Sequence, residues 1–180
     1  MDTLTPIKDL LYQTLGTIPE STIQEKITKN PHSLVQEIFS KANIDSLEGN
    51  KTENYETFAE SLMHYILTNA LIPSQRKISI DQIEIDIVIP DIRTLRSSSK
   101  DAIIILFPKT DDAKSIQQRL ERIVTIQPVL ENIWLVQKSS LGLPYKTYEI
   151  DGTHSFFNII DDIKNITSGK PQSKFKIFKV

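Results

Sequence analysis

The stretch "QIEIDIVIPD", residues 82–91, has an isoleucine at every second position and two carboxylates between them. A period of two is typical of a β-strand, because successive side chains point to opposite faces of a sheet. The spacing therefore predicts a strand with its isoleucines on one face and with Glu84 and Asp86 on the other. The isoleucines are Ile83, Ile85, Ile87 and Ile89.

A second stretch, "AIIILFPKT" at residues 102–110, is apolar on both faces until it reaches Lys109. This pattern is typical of a central strand covered on both sides. With its flanking segments it predicts the order α-β-β-β-α-β and an α/β fold, a mixed sheet with helices on both faces. The flanking segments are a helix at 54–70, a strand at 74–80, a helix at 111–126 and a strand at 131–138.

The first part of the chain reads as short helices separated by Gly16, Pro19 and Pro31. Proline fits the first turn of a helix, where its missing N–H has no intrahelical partner. A polar, turn-rich segment follows at 45–53. We therefore expect a small N-terminal helical lobe at residues 1–50 and an α/β domain at residues 51–180.

Composition excludes several classes of function. The chain has 180 residues, a net charge of −2 and no cysteine, so disulfides, thiolate catalysis and cysteine zinc sites are excluded, and a cytoplasmic location is expected. No apolar run approaches the roughly 20 residues of a membrane span, so no membrane association is expected. There is no Walker or dinucleotide-binding fingerprint.

Charged residues at the predicted strand ends point to a chemical site. A carboxylate in a strand covered on both faces must lie in a cleft, be paired, or bind a metal. A metal-bound Asp86 beside Lys109 would suit phosphodiester cleavage, because the metal lowers the pKa of bound water and the lysine stabilises developing charge. On the 54–70 helix, Glu56, Glu60 and His64 share one face at spacings of four. A plain solvated surface is the alternative for each of these residues.

Residues 54–137 resemble the PD-(D/E)XK nuclease superfamily, which includes restriction endonucleases. The resemblance rests on "ETFAE" in the first helix, "IEIDIVIPD" in the second strand, "FPK" after the third, and "SIQQRLER" in the next helix. It implies a restriction-endonuclease-like fold, a Mg²⁺ cofactor and a DNA substrate. Asp86 resembles the metal-binding acid and Lys109 the catalytic lysine. Glu60, with Glu56 as second choice, resembles the helical glutamate that supports the site.

One position departs from the family's pattern. The family places an acid two residues before the lysine, and this chain has Phe107 there. Hard divalent cations need oxygen ligands, so this loss is expected to weaken metal binding. Glu84 or Asp111 would be the replacement ligand if an acid has moved into the site. The expected metal ligands are Asp86, Glu60 and Glu84.

Three functions remain open from the sequence. The first is a divalent-metal-dependent DNA endonuclease, and the second is a catalytically inactive nuclease-fold module that acts as a binding or scaffolding subunit. The third is an unrelated α/β interaction domain.

Expected partners are DNA, a second copy of the chain in a homodimer, or another protein. The basic residues that could form a DNA surface, or a solvated mixed-charge surface, are Arg93, Arg96, Lys100, Lys114, Arg119, Arg122 and the tail lysines Lys170, Lys174, Lys176 and Lys179.

Overall fold

The computed structural model describes residues 5–178, with side chains described through residue 169. Four helices precede the sheet. Helix α3 begins at Pro31, and Asn30 caps it by accepting a hydrogen bond from the backbone N–H of Ser33, as expected for a proline in the first turn. Asn50 caps α4 in the same way, through the N–H of Glu53. The helices are α1 (Pro6–Leu15), α2 (Glu20–Lys29), α3 (Pro31–Lys41) and α4 (Lys51–Asn69).

The sheet is mixed, as the sequence predicts. Its five strands lie in the order β1-β2-β3-β4-β5. The first three are antiparallel, and β3, β4 and β5 are parallel neighbours. The α-β-β-β-α-β order is confirmed, with helix α6 between β3 and β4. The bounds are β1 (Gln75–Ile80), β2 (Ile83–Ile89), α5 (Ile92–Ser97), β3 (Ile103–Leu106), α6 (Ala113–Val124), β4 (Ile133–Gln137), β5 (Lys146–Glu149) and α7 (Ile159–Phe178).

Helices cover both faces of the sheet and enclose two apolar cores. The α4-side core joins α4 and α7 to alternate residues of the central strands, and the α6-side core joins α6 to the intervening residues. Phe107, directly after β3, belongs to the α4-side core and is 0% exposed. Sheet residues of the α4-side core are Ile87, Ile89, Ile103, Ile105, Trp134, Val136 and Tyr148, and those of the α6-side core are Ile80, Ile83, Ile85, Val88, Ile104, Leu106, Ile133 and Leu135.

The prediction that the four isoleucines of β2 share one face is wrong. Ile83 and Ile85 lie in the α6-side core, whereas Ile87 and Ile89 lie in the α4-side core. The alternation breaks at Asp86, and near this point in β1, Lys77 has a left-handed backbone with φ of 51°. A distortion of this kind re-aims the side chains on either side of it. Asp86 therefore lies where β2 changes face.

The polar segment 94–101, in which the sequence pattern predicted no helix or strand, forms most of α5 and a 3-10 turn at Ser99–Asp101. Asp91 starts α5 by accepting a hydrogen bond from the N–H of Thr94, which the sequence analysis missed.

The N-terminal helices pack on α4 and α7, and their apolar residues belong to the α4-side core. The division into a lobe at 1–50 and an α/β domain at 51–180 stays a prediction. Among the described residues, no helix is both long and apolar enough to cross a membrane.

Candidate functional site

Glu60 lies at the centre of a buried ion-pair cluster. Its side chain is 0% exposed, and its Oε2 accepts hydrogen bonds from Arg76 Nη2 at 2.9 Å and from Lys109 Nζ at 3.3 Å. Helix α4 supplies the glutamate, β1 the arginine, and the segment after β3 the lysine. Two cations thus share one carboxylate, so the cluster carries a net positive charge when all three groups are ionised.

The cluster also contains polar atoms without partners. Within residues 5–169, neither Glu60 Oε1 nor Arg76 Nε has a hydrogen-bond partner, and both atoms are buried. Unsatisfied buried groups of this kind are costly. The cluster therefore retains one acceptor and one donor beside the ion pair.

Glu56, one turn before Glu60, holds the ends of two parallel strands together. Its Oε1 accepts a hydrogen bond from the backbone N–H of Lys109 at 2.8 Å, and its Oε2 from that of Lys138 at 3.1 Å. The Lys109 backbone is left-handed, with φ of 62°, a conformation that few non-glycine residues adopt. Glu56 thus fixes the backbone of the residue whose side chain reaches Glu60.

The ionisation of Glu56 depends on two opposing effects. Burial raises its pKa to about 7, and the charge of Asp111 acts in the same direction. The hydrogen bonds from the Lys109 and Lys138 backbones and the charge of Lys109 lower the pKa, but by less than burial raises it. This buried carboxyl therefore titrates near neutral pH.

We expect the free energy of unfolding to depend on pH because Glu56 binds this proton more tightly in the folded state. Glu56 is protonated in the folded state up to about pH 7, whereas its ordinary pKa is 4.5. Its contribution to the free energy of unfolding is then fully present below about pH 4.5 and is lost as the pH rises through 7, a change of up to about 3 kcal/mol. Urea unfolding of wild type and Glu56→Gln from pH 4.5 to 8 measures this change. The wild type should lose stability relative to the variant as pH rises; a pH-independent difference would contradict the assignment.

Asp86 forms a separate polar group. Its Oδ2 accepts a hydrogen bond from the backbone N–H of Phe107 at 2.7 Å, and its Oδ1 pairs with Arg119 Nη2 at 3.2 Å. Arg119 is on α6, so this ion pair extends toward the opposite side of the sheet from α4. The carboxylate side chain is 13% exposed. The backbone contact places Asp86 next to the position where the family has its second acid.

The structure thus brings some of the expected site residues into contact. Glu60 and Lys109 form an ion pair, while Asp86 is bonded to the backbone two residues before Lys109. Glu84 and His64 are exposed. Asp111, the other proposed replacement acid, accepts a hydrogen bond from Thr52. The roles expected for Asp86, Glu60, Glu84 and Lys109 stay predictions.

The donor set does not fit a Mg²⁺ ion. No group of three or more His, Asp or Glu side chains suited to a metal occurs among the described residues. Glu60 and Asp86 each have a guanidinium partner, and the Phe107 side chain contributes no oxygen. A hard divalent cation needs several oxygen ligands, and adjacent cations oppose its binding.

Sequence reasoning did not pair either arginine with its acid. Arg76 stands between Gln75 and Lys77 in β1, and Arg119 was expected only on a DNA-binding or solvated surface of an amphipathic helix. Their acid partners lie 16 and 33 residues away in sequence, beyond any helical or strand spacing.

Comparisons with known proteins leave the family unassigned. No family model and no curated protein matches the chain. A solved structure of metal-depleted Ecl18kI in complex with uncleaved, modified DNA is similar with 15% identity and a TM-score of 0.37, over 84% of this chain and 45% of that chain. The present chain therefore spans less than half of that chain's length. At this TM-score the match carries no argument, and the fold assignment rests on strand order and pairing.

Proposed function

We propose that this protein is a catalytically inactive module with a nuclease-type fold that binds DNA. One observation carries the proposal: both acids retained from the family's pattern, Glu60 and Asp86, are paired with guanidinium groups. In each pair, a fixed cation competes with a divalent metal for the carboxylate. The resemblance of residues 54–137 to PD-(D/E)XK nucleases, and the matching element order, support the choice of fold family.

Charge supports an anionic partner for the site. Glu60 is outnumbered by Arg76 and Lys109, and Arg119 balances Asp86. Phosphate binding depends on Lys and Arg side chains that replace condensed counterions. Because the whole chain carries a net charge of −2, such binding must come from local patches. Side chains of the tail lysines lie outside the described residues.

A metal-dependent endonuclease is the second candidate. The contact between Lys109 Nζ and Glu60, at 3.3 Å, favours it, as does the hydrogen bond from the Phe107 backbone to Asp86. Both contacts place groups of the family's pattern near one another. Phe107 and the two arginines argue against it.

A cleavage assay separates the two candidates. Supercoiled, linear and branched DNA would be incubated with wild type, Asp86→Ala and Lys109→Ala, in Mg²⁺ or Mn²⁺. We expect no metal-dependent cleavage by any of them, because the acids are already neutralised. The exposed acid Asp81 provides a matched control, Asp81→Ala. Cleavage by wild type and the control that both site variants lose would overturn the proposal and support the endonuclease.

A further inference from the structure

A polar groove lies between α6 and the turn that joins β1 to β2. It has a volume of about 530 Å³, and its lining includes Gln82, Glu84, Ser115, Gln118, Arg119 and Arg122. Ser115 and Arg119 also line an adjoining cavity of about 250 Å³ whose other walls include Leu106 and Leu135. The two spaces therefore share two lining residues on α6.

The wall of the groove that α6 forms is polar and basic. Ser115, Gln118, Arg119 and Arg122 stand at spacings of three and four, which places them on one face of α6. This face carries two cations and two neutral hydrogen-bonding side chains and no acid. The helix's acidic residue, Glu121, does not line the groove.

Both arginines are held in place and keep free donors. Arg119 Nη2 donates to the carbonyl of Glu84 and to Asp86, and Arg122 Nη2 donates to the carbonyl of Gln82. In the described part of the chain, the Nε and Nη1 groups of both residues have no hydrogen-bond partner. A guanidinium has five N–H donors in a planar fork that suits phosphate oxygens. Anchored guanidinium groups lose less freedom when a ligand binds.

We propose that this groove binds the phosphate backbone of DNA, with Arg122 and Arg119 as the phosphate contacts. The inference rests on the proposed DNA-binding function and adds the surface that carries it. The carboxylate of Glu84, exposed on the opposite wall, works against a phosphate. Glu84 is therefore a repulsive residue in the groove, which differs from its expected role as a metal ligand.

Binding of labelled DNA tests the proposal. Fluorescence anisotropy would follow a duplex and a single strand of about 20 nucleotides between about 50 and 200 mM salt, where phosphate contacts change affinity most clearly. Arg122→Ala should weaken binding about tenfold and reduce the salt slope by about one. Glu84→Gln should strengthen binding about threefold, since it removes a like charge and leaves the backbone carbonyl that Arg119 contacts. Lys29→Ala, which removes an exposed cation of α2 outside the groove, is the charge-matched control and should change affinity less than about twofold.

The outcomes separate the two levels of the proposal. If the wild type binds neither DNA at low salt, the proposed function fails and this inference with it. If the wild type binds but Arg122→Ala behaves like Lys29→Ala, the groove inference alone is overturned. Weaker binding by Glu84→Gln would also overturn it. Thermal unfolding of each variant identifies any loss of affinity that comes from misfolding.

Discussion

Replacement of Phe107 by glutamate is expected to unfold the protein and not to restore a second acid to the site. Phe107 is 0% exposed and packs in the α4-side core beside the central strands. An ionised carboxylate without partners in that position would cost several kcal/mol, on top of about 3–5 kcal/mol for the lost aromatic packing. The sum is comparable to the whole stability of a typical domain, about 5–15 kcal/mol. Circular dichroism and urea unfolding measure this result.

A graded series provides the controls for Phe107→Glu. Phe107→Leu keeps an apolar side chain and should cost on the order of 1 kcal/mol, while Phe107→Ala should cost about 3–5 kcal/mol. A stable Phe107→Glu protein whose unfolding midpoint rises with Mg²⁺ would show that the position can face a metal site. That result would contradict the view that Phe107 is a core residue in this chain.

Local patterns were sufficient to predict the order of the sheet elements. Alternation in β2 and the doubly apolar run of β3 are short-range signals, and each produced a strand in the expected place. The side-chain faces of β2 were mispredicted because its alternation breaks at Asp86, between the β1–β2 pairs Ile78–Ile85 and Arg76–Ile87. The pairing register with β1 is the same on both sides of the break, so the sequence pattern of residues 82–91 gives no sign of it.

The candidate site was predicted in part for the same reason. The acids and the lysine follow a family pattern in sequence, so Glu60, Asp86 and Lys109 are candidates from the sequence alone. The residues that neutralise these acids, Arg76 and Arg119, come from other elements. Ion pairs between distant segments leave no periodic signal, so the sequence showed the carboxylates but not their charge balance.

Loss of the Arg76 side chain is expected to destabilise the protein by about 3 kcal/mol, because breaking a buried ion pair leaves a charge without its partner. Glu60 is 0% exposed, and Arg76 is its nearer cation at 2.9 Å. Lys109 remains at 3.3 Å, but its side chain is 29% exposed, so it compensates only in part. Urea unfolding of Arg76→Ala against the exposed control Arg93→Ala measures the cost.

A double substitution distinguishes a lost partner from lost packing. Replacing Arg76 by methionine and Glu60 by leucine removes the buried charge together with its partner, and such replacements are often neutral or stabilising. We therefore expect the double variant to be more stable than Arg76→Ala, although Lys109 then loses its carboxylate partner. If Arg76→Ala costs no more than Arg93→Ala, the arginine does not neutralise Glu60 in solution. The Glu60 carboxylate would then be free for a divalent cation, and the endonuclease would become the better-supported function.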